Sequence, residues 1–446
     1  MTDQHIASTD APRIGAGEHP LRRAVTAEVH ARPFEALDGP MRVSHLALVT
    51  GPDAALHSEE VRHLTALCER HGAQPPQPEA NFYSEQMDEF RLRWERHQEF
   101  STYTVFRRGV EDAPFASPAI ALLPAEWLAG LPGELLAATH LVLEGDTAPR
   151  RSVADLENLF GTDNIAGGWV ARGTAMAFTD FRPHQDGFSR FLVQDAGLAP
   201  RRAGRLVQRL LEIETYRLMA LLAFPMARRL GPEIARLETE LHDITDAMTE
   251  AKGLADEQHL LEALSRLAAR TEHLTAQSSF RLSAAQAYDQ LIGQRVESLR
   301  EERYEYLQTI GKFLERRSAP AMRTCASVAA RQEAIARRVS RAANLLRTRV
   351  DVALEGQNRD LLASMNRRTR MQLRLQEAVE GLSVVVLSYY TVGLLAYMAK
   401  AAKAAGLHVP VDLGVGLAAP LVVGTTWLII RRLRRGVTGE EAGDGH

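Results

Sequence analysis

The chain has 446 residues, and its 45% hydrophobic content gives it room to bury a core and to form more than one domain. A formal net charge of -3 excludes a protein that is basic overall, so we expect no nucleic-acid partner. Two cysteines, Cys68 and Cys325, are too few for a disulfide framework and are typical of a reducing compartment.

A tail of residues 1–18 contains no apolar run. Because a secretory signal needs such a run, we expect the part of the chain that follows to stay in the cytoplasm. Strand and helix patterns then alternate over residues 19–195, which predicts an α+β domain with a mixed or mostly antiparallel sheet. The predicted strands are 43–49, 139–143, 165–170, 175–181 and 188–193, and the predicted helices are 59–70 and 124–131.

Two β patterns between residues 90 and 106 give the clearest local signal in this domain. Phe90, Leu92 and Trp94 alternate with charged residues, and a second β-rich run covers residues 100–106. Alternation with period two indicates a strand with one apolar and one polar face. We therefore predict a hairpin with one face in water.

Residues 198–320 carry helical patterns. One helix is predicted to end at Pro225, long helices are predicted at about 257–273 and 279–316, and Pro320 breaks the last of them. Residues 321–381 lack proline and predict a stalk helix of about 90 Å. Its narrow apolar seam needs neighbours, either the preceding helices or further copies of the chain. The seam consists of Val328, Ile335, Val339, Ala342, Leu346, Val350 and Ala353.

Two apolar segments, 382–398 and 413–430, carry no charged side chain and are joined by residues 399–412. Each is close to the lower length limit for crossing about 30 Å of hydrocarbon. A pair of buried core helices is the alternative. Arginine clusters before the first segment and in the tail 431–446 predict a two-span inner-membrane protein with both termini cytoplasmic. The arginines expected to contact the lipid bilayer are Arg367, Arg368, Arg370, Arg374, Arg431, Arg432, Arg434 and Arg435.

Ser388, Thr391 and Leu395 share one helical face of the first segment. They would line a pore, or their hydroxyls would form hydrogen bonds between helices. The second interpretation is favoured because a transport path usually carries a charged side chain. On the second segment, Gly416 and Gly424 flank Pro420 at intervals of four, a spacing suited to close helix contact.

Catalytic motifs are absent from the sequence. Gly311 and Lys312 are expected in the middle of a helix, and Gly167 and Gly168 within a strand, so neither pair forms a phosphate loop. A zinc site of His63, Cys68 and His71 on one helix is an alternative whose spacing matches no closed tetrahedral pattern. We therefore expect no enzymatic activity, no cofactor and no metal.

The densest polar group lies at residues 180–186. In an extended segment Asp180, Arg182 and His184 would share one face and could hold an ion or an anionic ligand. A hydrogen-bonded loop is the more common outcome for such a run. The same two interpretations apply to the group His19, His30 and Arg32.

Several short motifs resemble those of a bacterial family of membrane-anchored proteins with no assigned function, domain-of-unknown-function family 3422. The resemblance covers nearly the whole chain and implies a membrane location. The motifs are HARPFE at 30–35, RWERH at 93–97, DFRPH at 180–184, FLERR at 313–317, SMNRR at 364–368, EGLS at 380–383 and SYY at 388–390.

The order of the predicted regions is similar to that of CorA-type cation channels, which assemble as pentamers with the first span lining the pore. The Gly-Met-Asn motif of those channels is missing, because Met398 is followed by Ala399. The resemblance implies a homo-oligomeric ion channel with a path along Ser388, Thr391 and Leu395. The hypothesis from another class is a membrane-anchored scaffold or sensor whose arginines bind anionic lipid.

Overall fold

The computed structural model of the protein describes residues 19–22, 26, 34–404 and 411–440. Contacts divide the chain into two compact units. The first comprises Met1–Asp246 and Ala263–Ala342, and the second comprises Ala247–Glu262 and Ala343–His446.

A nine-stranded sheet organises the first unit, in the order β2-β3-β4-β1-β5-β8-β7-β6-β9. Among the strands that the structure describes, only β5 and β8 pair in parallel, which confirms the prediction of a mixed or mostly antiparallel sheet. The two-residue strand β9 comes from far beyond residue 195, so the sheet extends past the segment in which it was expected. The strands are β1 Met41–Val49, β2 Phe82–Met87, β3 Phe90–Arg96, β4 Phe100–Arg108, β5 Glu134–Glu144, β6 Ala166–Val170, β7 Ala175–Thr179, β8 Ser189–Asp195 and β9 Glu302–Arg303.

Three α-helices lie between strands of the sheet. They are α1 Ala54–His71, α2 Ala125–Ala129 and α3 Val153–Phe160. The Asp53 side chain caps α1 and a capping box at Ser152 begins α3, so local chemistry fixes where both helices start. The predictions for α1 and α2 are confirmed, whereas α3 was not predicted.

Four further helices follow β8: α4 Pro200–Leu221, α5 Ala223–Glu250, α6 Leu254–Leu299 and α7 Ile310–Arg317. Pro225 does not end a helix as predicted. It lies in the first turn of α5, where a residue without an N–H loses no helical hydrogen bond.

The predicted helix 279–316 is wrong. The chain leaves α6 at Arg300, which has a positive φ of 52°, and α7 begins only at Ile310. The Glu301 carboxylate accepts hydrogen bonds from the backbone N–H groups of Ile310 and Gly311, at 2.8 Å each. Gly311 therefore lies in the first turn of α7 and not in the middle of a helix.

Both faces of the sheet are covered by apolar clusters. Leu92, Trp94 and Tyr103 pack with Leu64 of α1 on one face. On the other face Val43, Ala47 and Phe100 belong to the cluster that includes the apolar side of α4. The predicted hairpin of β3 and β4 is confirmed, but its predicted water-facing side is wrong. Arg93 on that side is only 4% exposed.

Helix α8, Ala319–Ala404, contains the predicted seam. Val328, Ile335 and Val339 are buried in the first unit, and Leu346 and Val350 are buried in the second. Gln332 of α8 donates a hydrogen bond of 2.9 Å to Ser278 of α6. Helices of the same chain therefore cover this stretch of the seam. Of the two predicted alternatives, the preceding helices and not further copies of the chain are its neighbours here.

Two helical segments are long and apolar enough to cross a membrane, one at the end of α8 and one in α9, Val411–Glu440. In each segment only 6% of the most apolar window is buried. A core helix of a soluble protein is mostly buried, so the alternative of a core pair is wrong for the residues described.

Candidate functional site

A cavity of about 270 Å³ lies within the first unit, between the sheet and α4. Its floor comes from β1, β3 and β4, its roof from α4, and its sides from residues before β1 and from α6. It is lined by Glu35, Leu37, His45, Arg93, Glu95, His97, Phe100, Thr102, Thr104, Phe106, Gly204, Val207, Gln208, Leu211, Glu212, Thr215, Tyr216 and Arg295.

Strand register brings the polar floor together. Thr104 of β4 lies opposite His45 on one side and opposite Arg93 on the other. Thr102 lies opposite Glu95 two residues along. Because side chains alternate between the faces of a strand, these residues all point to the face that α4 covers.

A buried ion pair occupies this floor. Arg93 donates from Nη2 to Glu95 Oε1 at 2.7 Å, and the two side chains are 5% and 13% exposed. Among the residues described, Arg93 Nε is buried and has no hydrogen-bond acceptor. A buried donor without a partner is costly.

A second ion pair lines the roof. Arg295 of α6 donates to Glu212 Oε2, and Gln208 donates from Nε2 to Glu212 Oε1 at 2.8 Å. Burial disfavours the charged guanidinium, but the adjacent Glu212 outweighs it and raises the pKa of Arg295. Gln208 Oε1 is buried and finds no donor in the part of the chain that the structure describes.

His45 is neutral in this cavity. Its Nδ1 lies 2.8 Å from Thr104 Oγ1 and its Nε2 lies 3.1 Å from Thr215 Oγ1. Burial, with a smaller contribution from the positive Arg93, lowers the pKa of His45 to about 3. The imidazole therefore adds hydrogen bonds but no charge near pH 7.

The segment before β1 packs closely against α4 at the edge of the cavity. A Cβ on Gly204 would lie 1.6 Å from the carbonyl oxygen of Glu35, so only glycine fits there. The Glu35 carboxylate accepts hydrogen bonds from Ser84 Oγ at 2.6 Å and from Arg91 Nη1 at 2.5 Å. All three carboxylates that line the cavity thus have a guanidinium partner.

The predicted polar group at 180–186 is a turn and not an extended segment. Phe181 has a positive φ of 54°, and Asp180 is 2% exposed. His184 Nε2 lies 3.1 Å from Asp180 Oδ2, whereas Arg182 points into solvent. Asp180 and His184 contact each other, but the exposed Arg182 side chain does not join them, so a common face of Asp180, Arg182 and His184 does not form.

The zinc alternative is also wrong. His63 bonds the carbonyl of Trp127, Cys68 bonds the hydroxyl of Tyr83, and His71 bonds Asp88. No group of three or more possible metal ligands occurs among the described residues.

The other predicted polar trio is only partly described. His19 accepts a hydrogen bond from the backbone of Leu21, whereas His30 and Arg32 lie outside the described residues.

The residues predicted for the membrane region differ in how exposed their side chains are. Ser388 is 4% exposed, Leu395 is 38% exposed, and the exposed Thr391 donates a hydrogen bond to the carbonyl of Leu387 in its own helix. The exposed arginines of this set are Arg367, Arg368, Arg370, Arg374, Arg431 and Arg432, whereas the side chains of Arg434 and Arg435 lie outside the described ones.

A serine, a histidine and an aspartate come together elsewhere on the sheet. Ser44 Oγ lies 3.0 Å from His140 Nδ1, and His140 Nε2 lies 3.9 Å from Asp186. Ser44 is fully buried and accepts a hydrogen bond from the Ile120 N–H, so no substrate reaches its hydroxyl. Ser44 and His140 therefore form a buried hydrogen bond, whereas the exposed Asp186 lies too far from His140 for a further one.

Comparisons with known proteins give one match. No curated protein matches the chain, and no solved structure matches it. A family model described as "Protein of unknown function (DUF3422)" matches residues 17–437. Because this match covers nearly all of the sequence, the chain belongs to that family.

Proposed function

We propose that the protein is an integral membrane protein in which a two-span hairpin anchors a cytoplasmic sensor or scaffold domain. The observation that carries this proposal is the exposure of the two apolar segments. Leu394 is 64% exposed and Leu421 is 69% exposed, within windows that bury only 6% of their residues. Exposed apolar area is disfavoured in water by about 25 cal/mol per Å², a cost that hydrocarbon removes.

Flanking charge supports the orientation. Exposed arginines at 367–374 precede the first segment, and Arg431 and Arg432 end the second. Each basic residue near an anionic leaflet contributes about 1 kcal/mol to lipid attraction. Both chain termini then lie on the cytoplasmic side.

Carbonate extraction of membranes from cells that express the full chain tests the anchor. We expect the protein to stay in the membrane pellet, and a variant lacking residues 382–430 to appear in the supernatant. Release of the full chain by carbonate would reject the proposal.

A homo-oligomeric ion channel with a CorA-like layout is the second candidate, favoured by an exposed apolar repeat on α8. Leu354, Leu361, Leu375 and Leu382 occupy four of five positions spaced by seven residues and are 39%, 60%, 67% and 65% exposed, whereas the middle position is the exposed Arg368. A seven-residue repeat suits a coiled coil between copies of the chain. The path would run along Ser388, Thr391 and Leu395.

Mass measurement in detergent and ion flux in liposomes test the channel. An oligomer that conducts ions, and that stops conducting with Thr391→Lys, would support it. A monomer, or an oligomer without flux, would reject it and leave the anchored sensor or scaffold.

A further inference from the structure

We propose that the cavity under α4 binds a small zwitterion, a molecule with one carboxylate and one ammonium group on an apolar body. This inference goes beyond the membrane anchor and does not depend on it, because every residue that lines the cavity belongs to the first unit.

Charge balance in the cavity excludes a ligand with a large net charge. The lining carboxylates of Glu35, Glu95 and Glu212 are each paired with a guanidinium. His45 is neutral near pH 7 because burial lowers its pKa to about 3. An added ion would remain unbalanced in a buried site, and burying an unbalanced charge is costly.

Two unused hydrogen-bonding atoms define the polar ends of the ligand. Arg93 Nε is a donor, and Gln208 Oε1 is an acceptor, and both are buried without a partner in the described chain. The orientation of the Gln208 amide is fixed because its Nε2 donates to the Glu212 carboxylate. A carboxylate suits the guanidinium of Arg93, and an ammonium suits the amide oxygen of Gln208 beside Glu212.

Apolar walls complete the site. Phe100, Phe106 and Leu211 line the same cavity and offer contact for a hydrocarbon body. A volume of about 270 Å³ equals that of about nine liquid water molecules and lies below the roughly 300–1,000 Å³ of drug-sized pockets. The ligand class is therefore that of an apolar α-amino acid and not of a nucleotide or a peptide.

Thermal unfolding and calorimetric titration of the full chain in detergent test the inference with matched probes. The probes are leucine and phenylalanine, their amides, which lack the carboxylate, and their N-acetyl forms, which lack the ammonium. We expect the amino acids to raise the midpoint by several degrees at saturation, and the blocked forms to bind at least about tenfold more weakly.

Variants connect binding to the two unused atoms. Arg93→Met and Gln208→Leu should each weaken binding by about tenfold or more. Arg107→Met is the control, because Arg107 lies on the same sheet outside the cavity and pairs with Glu89. Gln208 is only half-buried, so its variant tests the site even if Arg93→Met does not fold.

Two results would overturn the proposal. One is that the probes do not distinguish the site. Either no probe shifts the midpoint of thermal unfolding, as expected of a cavity that holds only water, or blocked and unblocked probes shift this midpoint equally. The other is that Gln208→Leu binds the amino acids as tightly as the unchanged protein.

Discussion

The two compact units differ in how they treat apolar side chains. In the first unit Trp94, Leu141 and Phe178 are completely buried, and charged groups inside the fold are paired. In the second unit Tyr389 and Leu421 are 76% and 69% exposed. The first unit thus buries its apolar side chains, as a domain that folds in water does. The second unit leaves apolar side chains exposed, which is unfavourable in water.

The largest expected effect contrasts one apolar residue from each unit. Trp94→Ala should lower the free energy of unfolding of the first unit by about 3–5 kcal/mol, because it leaves a cavity in a closed core. Leu375→Ala removes a side chain of the second unit that is 67% exposed. This change should lower the free energy of unfolding of the protein by less than about 0.5 kcal/mol. Urea unfolding in detergent, followed by circular dichroism, measures both values. Equal losses would contradict the contrast.

A charge in the first apolar segment tests the second unit directly. Val386→Arg should oppose insertion by about 2.5–3.5 kcal/mol and reduce the fraction of protein that resists carbonate. Val352→Arg is the control, because Val352 is 64% exposed on the same helix but lies before the segment. If both variants resist carbonate equally, the segment is not in hydrocarbon.

Buried histidines give the first unit a predicted dependence on pH. Burial lowers the pKa of His45 to about 3 and that of His140 to about 4, from 6.5. Below pH 6.5 the unfolded chain takes up protons that the folded chain refuses, so stability falls as the pH falls toward these values. At pH 5 the loss is about 2 kcal/mol for each histidine.

Urea unfolding at pH 7 and pH 5 measures this dependence. His45→Gln should remove about half of the loss that the two histidines cause together. A pH dependence that His45→Gln leaves intact would show that this imidazole does not titrate differently on folding.

The smallest expected effect per residue changed concerns the arginines beside the first apolar segment. Changing Arg367, Arg368, Arg370 and Arg374 to Gln should weaken anionic lipid binding by about 1 kcal/mol per residue. The amount of anionic lipid that copurifies with the protein measures this. The control changes four arginines upstream on α8, which are Arg323, Arg337, Arg338 and Arg341. Equal lipid loss in both variants would show that general charge, and not position, attracts the lipid.

Local patterns in the sequence predicted most of the sheet and both apolar segments. Strands such as β1 and β4 carry alternation or β-rich composition over seven or more residues, which tertiary packing rarely overrides. The end of α6 escaped prediction, because Glu301 caps a helix nine residues further on and Arg300 adopts a positive φ. Neither feature has a local sequence signal.

The cavity escaped prediction for a related reason. Alternating charges around Arg93 match the pattern of a strand with one side in water. Only the tertiary fold brings α4 over that side, joining His45 to Thr215 across 170 positions of sequence. A sequence signal that could have suggested it is the threonine pair Thr102 and Thr104, which lies opposite charged residues once the hairpin register is known.

Cysteine labelling in intact membranes tests most directly whether the apolar segments lie in a bilayer. Leu361→Cys and Leu394→Cys place thiols on one helix at positions that are 60% and 64% exposed, and the native Cys68 and Cys325 are buried. A membrane-impermeant maleimide added to opened vesicles should label position 361 at once, but position 394 only after denaturation in SDS. Equal labelling of both positions in the intact bilayer would contradict the account.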